Sequence, residues 1–390
     1  MRTVQRLRDL GQSLWLDNIT RQMLMDGTLR RYMNEFAITG LTSNPTIFDK
    51  AIKTGNAYDG AIRQKTAEGK SGETLFFDLA LEDLTQAADL FRPIYERTQG
   101  VDGWASLEVS PVLASDTAGT ITAARELHAR GQRPNLFIKI PGTPEGVPAI
   151  EASILAGVPI NVTLLFSAEQ YIAAAEAYIR GIERRLAAGL DPRVHSVASL
   201  FVSRWDVAVK GAVPPELRNR LGIAVAQRTY KAYRDLLASP RWQRLAAAGA
   251  LPQRLLWAST GTKDPTASDT LYIEALAAPD TIITIPDATL LALADHGHVG
   301  DVMAVDGDDA DNTIAEIRRT GVDTVDLAIQ LQREGIESFD KSWQDLLARL
   351  AAKIAMLEQP APALRGRSAP GERLSAEGAG LYQTDLDDPR

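Results

Sequence analysis

Leu136-Phe137-Ile138-Lys139-Ile140-Pro141-Gly142-Thr143 is the stretch on which the fold prediction rests. Its first five residues are typical of a strand buried on both faces, as in a parallel sheet, except for the lysine. Pro141-Gly142 ends the strand, so Lys139 lies near the carboxyl end, where an α/β barrel carries its active site. Removal from water favours the neutral amine, which is a nucleophile towards carbonyls. On the evidence of this stretch alone, an outward-facing Lys139 whose head group reaches water is an equally good interpretation.

The rest of the chain alternates apolar stretches with segments of helical spacing. The predicted strands are 14–19, 37–47, 104–109, 136–140, 158–166, 196–202, 254–259 and 281–285. The predicted helices are 21–36, 73–99, 118–130, 145–156, a segment after Ser167, 205–237, a segment after 263, 288–296, 309–319 and 324–359. Eight strands separated by helices predict an α/β fold, a closed (β/α)8 TIM barrel with extra helices and a C-terminal helix.

The alternative fold is an open doubly wound sheet. Such a sheet usually has a glycine-rich turn after its first strand, and Asn18-Ile19-Thr20-Arg21 is not one. We therefore expect residues 1–359 to form a single barrel domain. The segment 360–390 is rich in proline, glycine and charge, and we expect it to be a disordered tail.

Composition excludes several classes of function. The 390 residues carry a formal net charge of -8, which does not suit a nucleic-acid or anionic-membrane surface. The absence of cysteine excludes disulfides, thiol catalysis and cysteine-ligated zinc, and it fits a cytoplasmic location. No apolar run is long enough to span a bilayer, and the arginine-rich start, 1–9, lacks the apolar region of a signal peptide. Monomer and homodimer both remain open.

Polar side chains interrupt or end the predicted strands. They are Asp17, Asn44, Glu108, Lys139, Asn161, Thr163 and Ser199. Because a barrel brings its strands around one axis, these side chains are expected to meet. They suit Schiff-base chemistry: a lysine attacks a ketone, a carboxylate moves protons, and amides and hydroxyls hold sugar hydroxyls. Structural roles stay open, namely a turn or helix cap for Asp17, a turn for Asn44 and an ion pair for Glu108.

Two cations follow strand ends on another part of the predicted rim. Arg204 and Lys263 lie a few residues after their strands, and Ser259 and Thr260 precede Lys263. Such a group can bind a substrate phosphate, with backbone N–H groups assisting. A solvated surface charge is the alternative for each cation.

With these motifs in their observed order, the chain resembles the transaldolase family of the pentose phosphate pathway, over roughly residues 10–358. The resemblance is carried by Gly40-Leu41-Thr42-Ser43-Asn44-Pro45-Thr46, Lys139-Ile140-Pro141-Gly142-Thr143, Ile160-Asn161-Val162-Thr163-Leu164-Leu165-Phe166-Ser167, Phe201-Val202-Ser203-Arg204, Ser259-Thr260-Gly261-Thr262-Lys263 and the segment 334–347. The resemblance implies an enzyme with a barrel fold that transfers a dihydroxyacetone unit from sedoheptulose 7-phosphate to glyceraldehyde 3-phosphate. The products would be erythrose 4-phosphate and fructose 6-phosphate. It implies sugar phosphates as partners, and no metal or organic cofactor.

The resemblance also implies a role for each site residue. Lys139 would form the Schiff base, Asp17 would be the acid/base at the C–C bond, and Glu108 with Thr163 would position the catalytic water. The remaining roles are dihydroxyacetone binding by Asn44, Asn161 and Ser199, a wall formed by Phe201, and phosphate binding by Arg204 and Ser259.

One position departs from the family pattern. Some members carry an arginine two residues after the serine that matches Ser259, where this chain has Gly261. We expect Lys263 to take over phosphate binding.

Two alternative functions remain. One is an aldolase that cleaves fructose 6-phosphate and releases free dihydroxyacetone, and the other is an inactive paralogue that only binds sugar phosphates. The presence of Lys139, Asp17 and Glu108 argues against the inactive paralogue.

Overall fold

The computed structural model describes residues 2–358. The predicted tail, 360–390, lies outside the described residues. Within them, no helix combines the length and the apolar composition that a membrane crossing needs.

Eight parallel strands close into a barrel in which each strand pairs with its neighbour in the sequence and the last pairs with the first. The strands are β1 Ser13–Leu16, β2 Ile38–Thr42, β3 Trp104–Glu108, β4 Leu136–Pro141, β5 Ile160–Leu165, β6 Ser196–Phe201, β7 Gln253–Ala258 and β8 Ile282–Ile285. The predicted (β/α)8 barrel is therefore confirmed. Nearly every strand residue is buried, because the barrel interior and the surrounding helices cover both faces.

Helices surround the barrel, and there is more than one helix for each strand. They are α1 Arg2–Asp9, α2 Arg21–Met25, α3 Thr28–Glu35, α4 Pro45–Lys53, α5 Asp59–Ala67, α6 Gly72–Arg97, α7 Thr117–Gly131, α8 Gly146–Leu155, α9 Ala168–Ala187, α10 Ser203–Val209, α11 Leu221–Ala238, α12 Pro240–Ala247, α13 Leu271–Ala275, α14 Asp287–Asp295, α15 Ala310–Arg319 and α16 Thr324–Glu358. Short 3₁₀ turns occupy Pro111–Leu113 and Pro215–Leu217.

Strand register sets the height of the polar side chains in the barrel. Glu108 of β3 lies opposite Lys139 of β4, and Lys139 lies opposite Asn161 of β5. Side chains at matched positions on neighbouring strands lie at the same level and face the same side. Glu108, Lys139 and Asn161 therefore form one layer near the carboxyl ends of the strands.

Four predicted elements were wrong in their extent. The strand predicted over 14–19 ends at Leu16. The helix predicted over 21–36 is divided into α2 and α3, because Gly27 adopts a left-handed backbone with φ +80°. The strand predicted over 37–47 ends at Thr42, because Asn44 caps α4 and Pro45 begins it. The helix predicted over 205–237 is interrupted around Pro214 and forms α10 and α11.

The long helix α16 contacts the carboxyl end of the barrel. Gln332 Nε2 donates hydrogen bonds to the carbonyl oxygens of Gly142, at 3.0 Å, and Leu164, at 2.9 Å. The ring of Phe339 is buried over the cavity, and Ser342 accepts a hydrogen bond from Thr46 at 2.8 Å. These contacts join α16 to β5 and to the segments after β4 and β2.

The start of α8 is packed tightly against the end of the Lys139 strand. A Cβ atom on Gly146 would lie 1.9 Å from the carbonyl oxygen of Pro141. We expect Gly146→Ala to lower the free energy of unfolding by about 2–3 kcal/mol, because the helix must move away from β4. Urea unfolding followed by circular dichroism measures this loss.

A glycine with free space is the matched control. A Cβ atom on Gly60, in α5, would meet no atom within 4 Å. Gly60→Ala is therefore expected to raise stability by about 0.5–1 kcal/mol, since alanine favours the helix. Equal effects of the two substitutions would contradict the packing argument.

Candidate active site

A cavity of about 330 Å³ opens at the carboxyl ends of the strands. Eight predicted site residues line it: Asp17, Asn44, Lys139, Ser199, Phe201, Arg204, Ser259 and Lys263. The other three, Glu108, Asn161 and Thr163, are buried on β3 and β5 and do not line the cavity. Glu108 and Asn161 flank Lys139 in the strand register, and Thr163 lies opposite Pro141.

Lys139 is the buried cation at the base of this cavity, with only 5% of its surface exposed. Its Nζ lies 3.3 Å from Glu108 Oε2 and 3.4 Å from the carbonyl oxygen of Ser43, to which it donates. The centre of the Phe339 ring lies 5.9 Å from the same nitrogen. The side chain therefore points into the barrel, and the alternative of a lysine that reaches out to bulk water is wrong.

Two carboxyl groups, Asp17 and Glu108, lie near the Lys139 amine. Asp17 follows β1, remains partly exposed in the cavity and accepts a hydrogen bond from Thr42 Oγ1 at 3.0 Å. Burial raises the pKa of the Asp17 carboxyl, against the opposing effects of Lys139 and the Thr42 hydrogen bond. Burial likewise raises the pKa of Glu108, and Lys139 and Arg204 oppose that shift. Carboxyls with raised pKa values suit proton transfer near neutral pH.

A hydrogen-bonded row continues across the barrel from β6 to β3. Ser199 Oγ donates to Asn161 Oδ1 at 2.8 Å, and Asn161 Nδ2 donates to Ser106 Oγ at 3.2 Å. Ser106 was not among the predicted site residues, although the period of two placed it on the same face as Glu108. This row holds the Asn161 amide between two serine hydroxyls.

The side chains of Thr163 and Asn44 differ in whether their polar atoms already form hydrogen bonds within the protein. Thr163 Oγ1 is buried and has no hydrogen-bond partner within residues 2–358. A buried hydroxyl without a partner is free to hold a water or a substrate group. Asn44 Oδ1 accepts a hydrogen bond from the backbone N–H of Ile47 as the cap of α4, which leaves its amide nitrogen for a ligand.

The predicted phosphate side lies at the ends of β6 and β7. The Arg204 guanidinium lies 4.9 Å from the centre of the Phe201 ring and 5.7 Å from that of Phe339. Ser259 has φ +56°, and its hydroxyl lies 2.9 Å from that of Ser203. The Arg204 guanidinium and the Ser259 hydroxyl therefore both lie at one wall of the cavity.

Lys263 is an exposed cation beside this wall. Its Nζ lies 3.4 Å from the position that a Cβ atom on Gly261 would take. Its charge is also among the groups that lower the pKa of Asp17. The ammonium therefore lies beside Gly261, at a distance that corresponds to van der Waals contact with such a Cβ atom.

Some cavity residues were missed by the sequence reasoning. Phe339 and Ser338 belong to α16, and Lys50 and Thr46 belong to α4. The resemblance includes the segment 334–347, but helical spacing does not distinguish a ring over a cavity from an ordinary core ring.

A closed parallel barrel with a buried lysine and carboxyl groups at the carboxyl ends of its strands defines an α/β-barrel enzyme. The model of the family described as Transaldolase/Fructose-6-phosphate aldolase matches residues 14–350, and the chain belongs to this family.

Bacterial relatives named transaldolase match nearly the whole chain. The protein from Thermobifida fusca is 46% identical over 363 residues, which cover 90% of this chain and 98% of the relative. The protein from Arthrobacter sp. is 42% identical, with 90% and 97% covered, and that from Saccharopolyspora erythraea is 44% identical, with 90% and 97% covered.

Proposed function

We propose that this protein is a transaldolase that transfers a dihydroxyacetone unit from sedoheptulose 7-phosphate to glyceraldehyde 3-phosphate in the cytoplasm. The buried amine of Lys139, 3.3 Å from Glu108 and in one cavity with Asp17, is the observation that carries the proposal. Full-length similarity to proteins named transaldolase supports the same reaction. Monomer and homodimer are both compatible with it.

The first half of the reaction uses the lysine and both carboxyls. The Lys139 amine attacks the C2 carbonyl of the donor, and loss of water from the carbinolamine gives an imine. Glu108, beside the amine, supplies and accepts the protons of this dehydration through a water that Thr163 helps to hold. Asp17 then takes the proton of the C4 hydroxyl, the C3–C4 bond breaks, and the aldose phosphate leaves.

The second half reverses these steps on another aldehyde. The three-carbon unit stays on Lys139 as a nucleophilic enamine, and its carbon attacks the carbonyl carbon of the acceptor. Asp17 returns its proton to the new hydroxyl, and water then hydrolyses the imine. Asn44, Asn161 and Ser199 bind the dihydroxyacetone hydroxyls, Phe201 forms a wall, and Arg204, Ser259 and Lys263 bind the phosphate.

Borohydride trapping tests the proposal. The protein is incubated with fructose 6-phosphate, reduced, digested and mapped by mass spectrometry, with Lys139→Ala as the control. We expect a dihydroxyacetone-sized adduct on Lys139 and release of that unit only when an aldose acceptor is present. No adduct on the folded protein would refute Schiff-base chemistry. Release of free dihydroxyacetone without an acceptor would assign the aldolase instead.

Lys263 is expected to contribute to phosphate binding. Lys263→Met should raise KM for fructose 6-phosphate by about tenfold, because a charge-assisted hydrogen bond to phosphate is lost. Unphosphorylated dihydroxyacetone, assayed as a donor, is the internal control, and its KM should not change. An unchanged KM for the phosphorylated donor would show that Lys263 is a solvated surface charge.

The Thr42 hydroxyl is expected to tune the acid/base group. Its hydrogen bond lowers the pKa of Asp17, so Thr42→Val should raise that pKa further. Because ionised Asp17 is the base, a higher pKa means that activity falls at a higher pH on acidification. The acidic limb of kcat against pH should therefore move upward. Thr42→Ser, which keeps the hydroxyl, should leave the limb in place, and a limb unchanged in both variants would contradict the assignment.

A further inference from the structure

A second cavity, of about 500 Å³, lies at the amino ends of the strands, on the opposite side of the barrel from the active site. We call it the lower cavity, and its lining includes Trp104, Phe137, His195, Arg254, Val101 and Asp280. Trp104 begins β3, Phe137 is the second residue of β4, and Arg254 is the second residue of β7. A volume of this size is typical of a small-molecule site.

Aromatic rings form the floor of the lower cavity. Trp104 and Phe137 stack with their ring centres 3.9 Å apart, and the His195 ring lies 5.0 Å from that of Trp104. Trp104 and Phe137 are each only 1% exposed, so their positions are fixed by packing. The His195 ring is the one of the three that is partly exposed, and a flat aromatic ligand can pack against it.

Arg254 is a partly buried cation at the mouth of this cavity. Its guanidinium donates to three neutral acceptors: the carbonyl oxygens of Val101 and Thr281, each at 2.8 Å, and the Ser13 hydroxyl at 2.9 Å. No carboxylate within residues 2–358 forms an ion pair with it. Its positive charge is therefore left without a counter-ion beside the rings.

The other titratable groups of the lower cavity do not supply that counter-ion. The Asp280 carboxylate is paired with Arg234, at 2.7 Å. Burial, together with the charge of Arg254, lowers the pKa of His195 to about 4, so the imidazole is neutral at pH 7. No hydrogen bond joins the His195 ring to another residue within 2–358. The cavity thus combines one uncompensated positive charge, a neutral ring donor and an aromatic floor.

We propose that the lower cavity binds a small aromatic carboxylate, with its ring against the His195 imidazole and its carboxylate on Arg254. A carboxylate suits the planar guanidinium and supplies the missing charge. The aromatic part removes apolar ring surface from water.

The lower cavity lies directly below the candidate catalytic residues. Phe137 is two residues before Lys139 on β4, and Trp104 is four residues before Glu108 on β3. The period of two puts each pair on the same inward face. A ligand in the lower cavity would therefore lie beneath the layers of side chains that support the lysine and its carboxyl partner.

Isothermal titration calorimetry of the full chain tests the site, with naphthalene-2-carboxylate as the probe. We expect saturable binding with a Kd below about 1 mM. The neutral naphthalene-2-carboxamide should bind at least about tenfold more weakly, because it lacks the charge-assisted hydrogen bond. Saturating fructose 6-phosphate should not displace the probe, since that ligand occupies the other end of the barrel. Binding is thus measured independently of the proposed activity.

Two variants and one control complete the test. Arg254→Met should weaken binding of the carboxylate about tenfold and leave binding of the carboxamide unchanged. Val101→Trp fills the mouth of the cavity from a side chain that is 56% exposed, keeps the backbone acceptor of Arg254 and should abolish binding of both probes. Arg193→Met, which removes an exposed arginine paired with Asp191, should change nothing.

The proposal is overturned by any of three results. They are no saturable binding to the unmodified protein, unchanged affinity in the Val101→Trp variant, or displacement of the probe by fructose 6-phosphate. If the Arg254→Met variant does not fold, the Val101→Trp variant and the comparison between the carboxylate and carboxamide probes still test the proposed site.

Discussion

Replacing Lys139 by methionine is expected to lower kcat by more than about 10⁴-fold, because no other group in the proposed mechanism forms the covalent bond to the donor. Methionine has a similar length and keeps the apolar stem, so the barrel packing is retained. The borohydride adduct should disappear together with turnover. Activity within about tenfold of the unmodified protein would show that the imine forms elsewhere or not at all.

The same substitution has a second effect, on stability, that involves Glu108. Lys139 opposes the burial that raises the pKa of this carboxyl, so its removal should raise that pKa further. A group whose pKa is higher in the folded state than in the unfolded state binds its proton more tightly when folded. Its contribution to stability is complete below the unfolded pKa, about 4.3, and is lost as the pH rises through the folded pKa.

The stability loss of Lys139→Met relative to the unmodified protein should therefore be smallest in acid and grow as the pH rises above that value. At neutral pH we expect a loss of about 1–3 kcal/mol, since a buried carboxylate is left without its partner. The double variant Lys139→Met with Glu108→Gln is the matched control and should recover this loss. Urea unfolding of the unmodified protein and both variants at several pH values measures these differences, and a loss for the single variant that does not change with pH would contradict the coupling.

The sequence predicted the barrel and its lysine because both depend on local pattern. A charged residue inside an apolar strand is visible in the sequence, and strand register then requires Glu108 and Lys139 to meet. The break at Gly27 was missed because apolar spacing continues on both sides of it, whereas the turn depends on a left-handed backbone.

Residues that reach the site from distant elements were less predictable. Phe339 lies 200 residues after Lys139, and only the path of α16 across the barrel brings its ring within 5.9 Å of the amine. The lower cavity likewise depends on the angle between side chains from β3, β4 and β7. Neither feature leaves a periodic signal in the chain, because each depends on tertiary packing.

Asp17→Asn is expected to separate imine formation from C–C cleavage. The carboxyl lies in the cavity with Lys139, and asparagine keeps its shape while removing the base. We expect kcat to fall by about 10²–10⁴-fold, the usual loss when a positioned general base is removed. The lysine and Glu108 remain, so the imine should still form.

The size of the trapped adduct then reports which step has stopped. With fructose 6-phosphate and borohydride, the unmodified protein should carry the three-carbon unit on Lys139. Asp17→Asn should instead retain the six-carbon adduct, because the C4 proton has no acceptor and the C3–C4 bond stays intact. Dihydroxyacetone itself should give the three-carbon adduct in both proteins, which controls for imine formation. A three-carbon adduct formed from fructose 6-phosphate at the same rate in both would assign the base to another group, and Glu108, beside the amine, would be the next candidate.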